Sequence, residues 1–345
     1  MKIRNLTTLL LIALIAVSCN SGKIQLSGAG ATFPAPFYNI VVKEFAKEYQ
    51  TDVSYGATGS GSGIRNLKDL TIDFGGTDVF LSDQEMKDMP AEVIHVPTCL
   101  GAVVVAYNLK EVSELHLDSE TITDIFTGKI TNWNDPKLAA LNPGVTLPDQ
   151  TITVVYRSDG SGTTAVFSGY MSEASAEWKS AIGEGKSLNF PVGIAAKGNP
   201  GVAGSIAETV GAIGYIGSEY AFALNIPSAK LKNRAGNFVA ANSASIAASA
   251  TEDFPDDTRT VIYNSDNPDA YPISTLTWLI AYREQSYNGR SGEQAELLKV
   301  FLSYVISDKG GEIASKTHYV ALPPAAKNKA MGQINSMTFE GKPLN

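Results

Sequence analysis

The segment Arg157-Ser158-Asp159-Gly160-Ser161-Gly162-Thr163-Thr164 follows an apolar run at 151–156 and precedes a helix-compatible stretch at 163–171. That order places a strand before it and a helix after it. One cation, several hydroxyls and two glycines occupy the junction. A helix N-terminus carries unpaired backbone N–H groups and the positive end of the helix dipole, so it suits an anion. Arginine adds a forked donor matched to phosphate or carboxylate oxygens. Two readings are open at this point: an anion-binding turn, or a capped strand-to-helix connection.

Three earlier segments repeat the pattern. A strand at 24–27 runs into Gly28-Ala29-Gly30-Ala31-Thr32-Phe33-Pro34, and a helix follows with Phe37, Val41, Phe45 and Tyr49 on one face. A second strand at 52–55 ends in Gly56-Ala57-Thr58-Gly59-Ser60-Gly61-Ser62-Gly63, before a short helix expected at 64–70. A third passage is Thr71-Ile72-Asp73-Phe74-Gly75-Gly76-Thr77-Asp78. Four strand ends rich in small, hydroxylated or acidic residues imply α/β lobes with a ligand crevice beyond the carboxyl ends of the strands. Further along, 111–137 reads as mostly helical, 211–217 and 275–282 as strands, and 294–306 as an amphipathic helix.

The chain has 345 residues, of which 44% are hydrophobic and 18% charged, enough for two lobes with cores of their own. Its formal charge of −8 argues against a nucleic-acid-binding surface, and any anion site must be local. At the N-terminus, Lys2 and Arg4 precede a short apolar stretch at 9–17, and Ala16-Val17-Ser18-Cys19 closes it. This looks like the lipobox of a bacterial lipoprotein: 1–18 a signal peptide, Cys19 the lipidated first residue, and 19–23 a polar tether. An ordinary signal peptide and an uncleaved anchor are the alternatives. Without Lys2 and Arg4 the formal charge goes from −8 to −10. Cys99, in the apolar run 99–107, reads as a buried strand residue rather than a nucleophile.

Several catalytic patterns fail. No Gly-Lys-Ser/Thr follows Gly56–Gly63, so it is no phosphate-binding P-loop. Neither Ser60 nor Ser161 has glycines two before and two after, as a nucleophile elbow requires. His95, His116 and His318 lack a second ligand at metal-binding spacing, so no metal and no cofactor is expected. What remains is binding. Thr32, Ser60, Ser161 and Thr163 offer hydroxyls on glycine-rich loops, and Arg157 offers charge. Asp78 is the odd member, because a carboxylate repels an anion unless the anion brings a proton for it to accept. Phosphate near neutral pH carries one and sulfate does not, so a buried Asp78 would discriminate between them. A turn or helix-capping role for Asp78 is the alternative.

On these residues the chain resembles the periplasmic phosphate-binding proteins of high-affinity phosphate ABC importers, a family of solute-binding lipoproteins. The matching segments are Gly28-Ala29-Gly30-Ala31-Thr32-Phe33-Pro34-Ala35-Pro36, Asp73-Phe74-Gly75-Gly76-Thr77-Asp78, Gly128-Lys129-Ile130-Thr131-Asn132-Trp133-Asn134-Asp135, Arg157 to Thr163, Gly211-Ala212-Ile213-Gly214-Tyr215 and Gly341-Lys342-Pro343-Leu344. They run in family order over nearly the whole chain beyond the N-terminus.

The resemblance implies an α/β type II periplasmic binding protein. Its two lobes, each a mixed or parallel sheet flanked by helices, would close on phosphate in the interlobe cleft. The expected lobes are 24–97 with 273–345, and 98–272. It further implies that Thr32, Phe33, Ser60, Asp78, Arg157, Ser161, Gly162 and Thr163 bind phosphate, and that Asp159 holds Arg157. Family members have adjacent serines followed by paired glycines in the second loop. This chain alternates Gly59-Ser60-Gly61-Ser62-Gly63, which leaves Ser62 beside Ser60 as a candidate donor. The partners implied are ABC permease subunits with a cytoplasmic ATPase and, through Cys19, a membrane. The chain would be an extracytoplasmic monomer and not an enzyme. The same fold tuned to another oxyanion, an extracytoplasmic phosphoesterase and a structural surface lipoprotein are the competing readings.

Overall fold

Three parallel strands, β1 (Gln25–Gly30), β2 (Asp52–Ala57) and β3 (Phe74–Thr77), begin the fold, with β1 between the other two. The computed structural model describes residues 23–250 and 253–345. The remaining strands of the main sheet are β4 (Val93–Tyr107), β5 (Thr153–Arg157), β6 (Ile194–Ala196), β7 (Ala212–Gly217), β8 (Ser274–Tyr282) and β9 (Val320–Ala321). Their order is β2-β1-β3-β8-β4-β7-β5-β6, with β9 also on β4. This is the mixed, two-lobed α/β architecture that the strand-and-loop pattern implied.

The strand β4 joins the lobes. Its residues from Val93 to Ala102 pair antiparallel with β8, and those from Val103 to Tyr107 pair antiparallel with β7. The partner changes between Ala102 and Val103, where the Val103 N–H donates to the carbonyl of Ile273 at 2.9 Å. β4 thus passes from one part of the sheet to the other directly beside the start of β8. All fifteen residues of β4 are buried, Cys99 among them.

Helices start just past the strand ends. Pro34 and Pro36 open α1 (Ala35–Glu48), where a missing N–H costs nothing. Phe37, Val41 and Phe45 bury its inner face, each contributing on the order of 2–3 kcal/mol by area. Tyr49 lies beyond the helix end and is 44% exposed, stacking on Phe45 rather than completing the stripe. The other helices of the cleft are α2 (Ser60–Lys68), α3 (Gly162–Ala174), α4 (Gly198–Glu208) and α5 (Ser218–Leu224).

Two sequence expectations are corrected. The second helix begins at Ser60, not 64, because Gly59 takes φ +97° at its N-cap and Gly63 lies against the backbone of Gly30. A Cβ at 63 would come within 2.6 Å of the Gly30 Cα, so close packing overrides the low helix propensity of glycine. The stretch 111–137 is not mostly helical. It holds a strand, His116–Leu117, and a helix Ser119–Phe126 capped by Asp118, while a second helix, Pro136–Leu141, begins after Asp135. Gly128 at φ +78° and Pro136 separate the two helices.

Candidate functional site

The carboxyl ends of β1, β3 and β5 and the N-termini of α2, α3 and α4 converge between the lobes. Asp78 follows β3 directly and is 1% exposed. Its Oδ1 accepts the Thr277 hydroxyl at 2.9 Å, and its Oδ2 lies 3.4 Å from the Ser60 hydroxyl. Burial pushes its pKa from 3.8 up to about 7, against the opposing pull of Thr277, the Arg157 charge and Ser60. Asp78 therefore sits at the boundary between acid and carboxylate near neutral pH.

Arg157 ends β5 with its side chain buried. Asp159 grips it twice, Nε to Oδ1 at 2.8 Å and Nη2 to Oδ2 at 2.6 Å, leaving Nη1 to reach Thr163 Oγ1 at 3.2 Å. Burial works to raise the Asp159 pKa. The guanidinium and the Gly198 N–H outweigh it and hold the carboxyl below its ordinary value. Tyr215 anchors the loop from beneath: its hydroxyl accepts the Arg157 N–H and meets Thr164 Oγ1 at 2.8 Å, while its ring stacks on Phe167. Burial lifts the Tyr215 hydroxyl to about 12, so it stays protonated.

The remaining expected residues stand around this pair. Ser60 Oγ accepts the Gly162 N–H at 3.1 Å across the cleft, and Gly61 N–H donates to the Gly160 carbonyl at 2.9 Å. Ser161 caps α3 by accepting the Thr164 N–H. Its own N–H donates to the Lys186 carbonyl, so its hydroxyl is the donor it retains. Lys186 also spans the lobes to Glu85, 2.7 Å from Nζ to Oε1. The loop carrying Thr32 and Phe33 is fixed through its carbonyls, which accept the hydroxyls of Tyr220 and Tyr319 at 2.6 and 2.5 Å. The arrangement gathers many donors around the buried, titratable Asp78, while Asp159 is taken up by Arg157 and Gly198, which suits a tetrahedral oxyanion bearing a proton. Among the described residues no group of three or more His, Cys, Asp or Glu is arranged to hold a metal.

A PBP superfamily domain model matches residues 18–309. The chain is 38% identical over 306 residues to the phosphate-binding protein PstS of Xylella fastidiosa, covering 87% of this chain and 82% of that protein. It is 34% identical over 330 residues to PstS of Pasteurella multocida, covering 92% and 93%. The chain belongs to the PstS family of phosphate-binding proteins. Its fold is that of a phosphate-binding protein from Stenotrophomonas maltophilia, with a TM-score of 0.70 at 20% identity over 89% of this chain and 93% of that one. A substrate-binding protein of Clostridium perfringens described with bound phosphate gives 0.64 at 21% identity, over 87% and 100%.

In this PstS-family chain, Ser60 rather than Ser62 reaches Asp78 and Gly162. Three site residues were absent from the sequence reading. Thr277, on β8, orients the Asp78 carboxyl, and Thr275 on the same strand donates to the Asp78 carbonyl. Hydroxyls two apart on an otherwise apolar strand share one face, a signal the sequence did contain. The other is Asn199 at the start of α4, fully buried and bonded to Thr32, Thr163 and Gly217.

Proposed function

We propose that this protein binds inorganic phosphate in the closed interlobe cleft and delivers it to an ABC permease for import. Membership of the PstS family supports this reading, and the observation that carries it is Asp78, a buried titratable acceptor set among convergent donors. In this reading Arg157 and the α3 N-terminus meet the charge. Thr32, Phe33, Ser60, Ser161 and Thr163 donate to oxygens, Gly162 does so when its N–H turns from Ser60 Oγ to the ligand, and Asp78 accepts the phosphate proton. Asp159 keeps Arg157 in place. The lobes separate about the β4 crossing at 102–103 and the return at 273–274.

The receptor is extracytoplasmic and acts as a monomer, with a permease and its cytoplasmic ATPase as partners. The lipobox supports a membrane anchor at Cys19, which lies outside the described residues. No helix among the described residues is long and apolar enough to cross a membrane. The deciding experiment is a structure of protein purified without added anion and then given phosphate. Tetrahedral density touching both Asp78 and Arg157 is expected; density elsewhere, or none, would refute the assignment.

Cleft closure itself can be tested at Gly162. A Cβ there would lie 2.3 Å from Ser60 Oγ and 2.6 Å from Asp78 Oδ2. Alanine is otherwise favourable in a first helical turn. Gly162→Ala is therefore expected to act through closure of the cleft rather than through the helix itself. It should weaken phosphate binding by about 5- to 150-fold, the equivalent of ~1–3 kcal/mol of overpacking. Calorimetric titration would show this, and unaltered affinity would contradict the closed geometry as the binding state.

A further inference from the structure

Asn199 makes four hydrogen bonds at the heart of the cleft. Its backbone N–H and its Nδ2 donate to Thr32 Oγ1 at 3.1 and 3.0 Å, and Nδ2 also donates to Thr163 Oγ1 at 3.0 Å. Its Oδ1 accepts the Gly217 N–H at 2.9 Å. A backbone N–H can only donate, so Gly217 fixes which way round the amide lies and turns the NH2 toward the two threonines. The side chain is fully buried, where no water competes for these bonds.

The consequence follows from counting lone pairs. A hydroxyl has one proton to give and accepts at two positions. Thr32 Oγ1 receives two donors from Asn199. Thr163 Oγ1 receives one from Asn199 and one from Arg157 Nη1. Each oxygen is filled on its accepting side, and each proton is left to point at something else. A hydroxyl that could accept would be compatible with a protonated oxygen of the ligand; these two are not.

We propose that Asn199 is a positioning residue that polarises Thr32 and Thr163 as obligate donors toward the bound anion, leaving Asp78 as the acceptor for its proton. This role rests on the phosphate reading above. Thr32 lies in the first lobe and Asn199 in the second, so Thr32 is polarised in the closed state, when the ligand is enclosed.

The test uses calorimetric titration of the whole protein with inorganic phosphate at about pH 5 and pH 8, for the natural protein, Asn199→Asp and Asn199→Ala. At the higher pH the new carboxylate accepts from both threonines and draws their protons off the ligand. Affinity is expected to fall by about 100-fold or more relative to the natural protein. Burial at position 199 raises the new carboxyl above its ordinary range, so toward pH 5 it gains a proton it can donate to one threonine, and the deficit is expected to shrink by about tenfold. Asn199→Ala should lose affinity by about tenfold at both pH values. On a Thr32→Val/Thr163→Val background the same alanine change should have an effect under about threefold, because Asn199 acts through those hydroxyls. This cycle decides the matter even if Asn199→Asp fails to fold. A full loss that persists on that background, or Asn199→Asp binding like the natural protein at pH 8, overturns the role of Asn199 alone. A natural protein that does not bind phosphate overturns the reading itself and this role with it.

Discussion

Arg157→Ala is expected to weaken phosphate binding by about 30- to 4,000-fold, the equivalent of ~2–5 kcal/mol. Two effects add. The ligand loses a buried, forked cation, and Asp159 loses the partner that compensates its own charge. An uncompensated carboxylate beside the cleft repels the anion, so part of the loss belongs to Asp159. Removing it as well, in Arg157→Ala/Asp159→Ala, should recover some affinity, though less than the natural level. Arg157→Lys should fall between, because an ammonium cannot hold both Asp159 oxygens and Thr163 together. Calorimetric titration checks all three. Unchanged affinity in Arg157→Ala would remove this residue from the site.

Asp78 carries the second large effect, seen in sulfate rather than phosphate. With its pKa raised to about 7 by burial, Asp78 is mostly an acid below that pH and mostly a carboxylate above it. The acid can donate to an oxygen of sulfate; the carboxylate meets a fully deprotonated dianion with nothing to accept. Sulfate affinity of the natural protein is therefore expected to fall about tenfold per pH unit above about pH 7 and to level off below it. Phosphate brings its own proton and should change far less over the same range. Asp78→Asn places a neutral amide donor there. It should abolish the pH dependence of sulfate binding and raise the sulfate-to-phosphate affinity ratio at about pH 8 by tenfold or more. Competition titrations from pH 5 to 9 would settle it. Equal binding of the two anions by the natural protein at pH 8 would end the proton-sharing argument.

The same carboxyl sets a stability trend. Its folded pKa lies above the ordinary 3.8, so the ligand-free fold binds the proton more tightly than the unfolded chain does. The stabilisation is fully present below about pH 4 and is lost as pH rises through about 7. The total is on the order of 4 kcal/mol, and Asp78→Asn removes the trend.

The parts of the site legible in the sequence were those whose chemistry is local. Arg157 and Asp159 stand two residues apart at the start of a helix, and Thr32, Ser60 and Asp78 each follow a strand. Residue type and position next to a strand end singled out Arg157, Thr32, Ser60 and Asp78 as candidates, and the family resemblance gave Asp159 its role beside Arg157. Asn199 offered no such cue, since Gly198-Asn199-Pro200-Gly201 reads as an ordinary turn and its importance comes from Thr32, 167 residues away. Thr277 was hidden by its strand, whose burial made an apolar reading sufficient. The glycines around Ser60 argued for a loop because propensity is counted residue by residue, whereas the helix there is set by contact with the β1 backbone. At 111–137 the apolar spacing was compatible with helix, and the capping aspartates with Gly128 and Pro136 divided it.

The contacts that span the lobes, Gly61 to Gly160, Lys186 to Glu85 and Asn199 to Thr32, have a kinetic meaning for transport. None of them requires the ligand, yet an ion enclosed behind them cannot leave until they part. The residence time of a bound ion is then governed by how often the protein opens itself, so strong capture and quick surrender are in conflict within one molecule. A membrane partner that prefers the open form resolves that conflict, because its preference weakens the hold on the ion at the moment of docking. By the same linkage, a loaded, closed receptor resists the opening that such a partner demands.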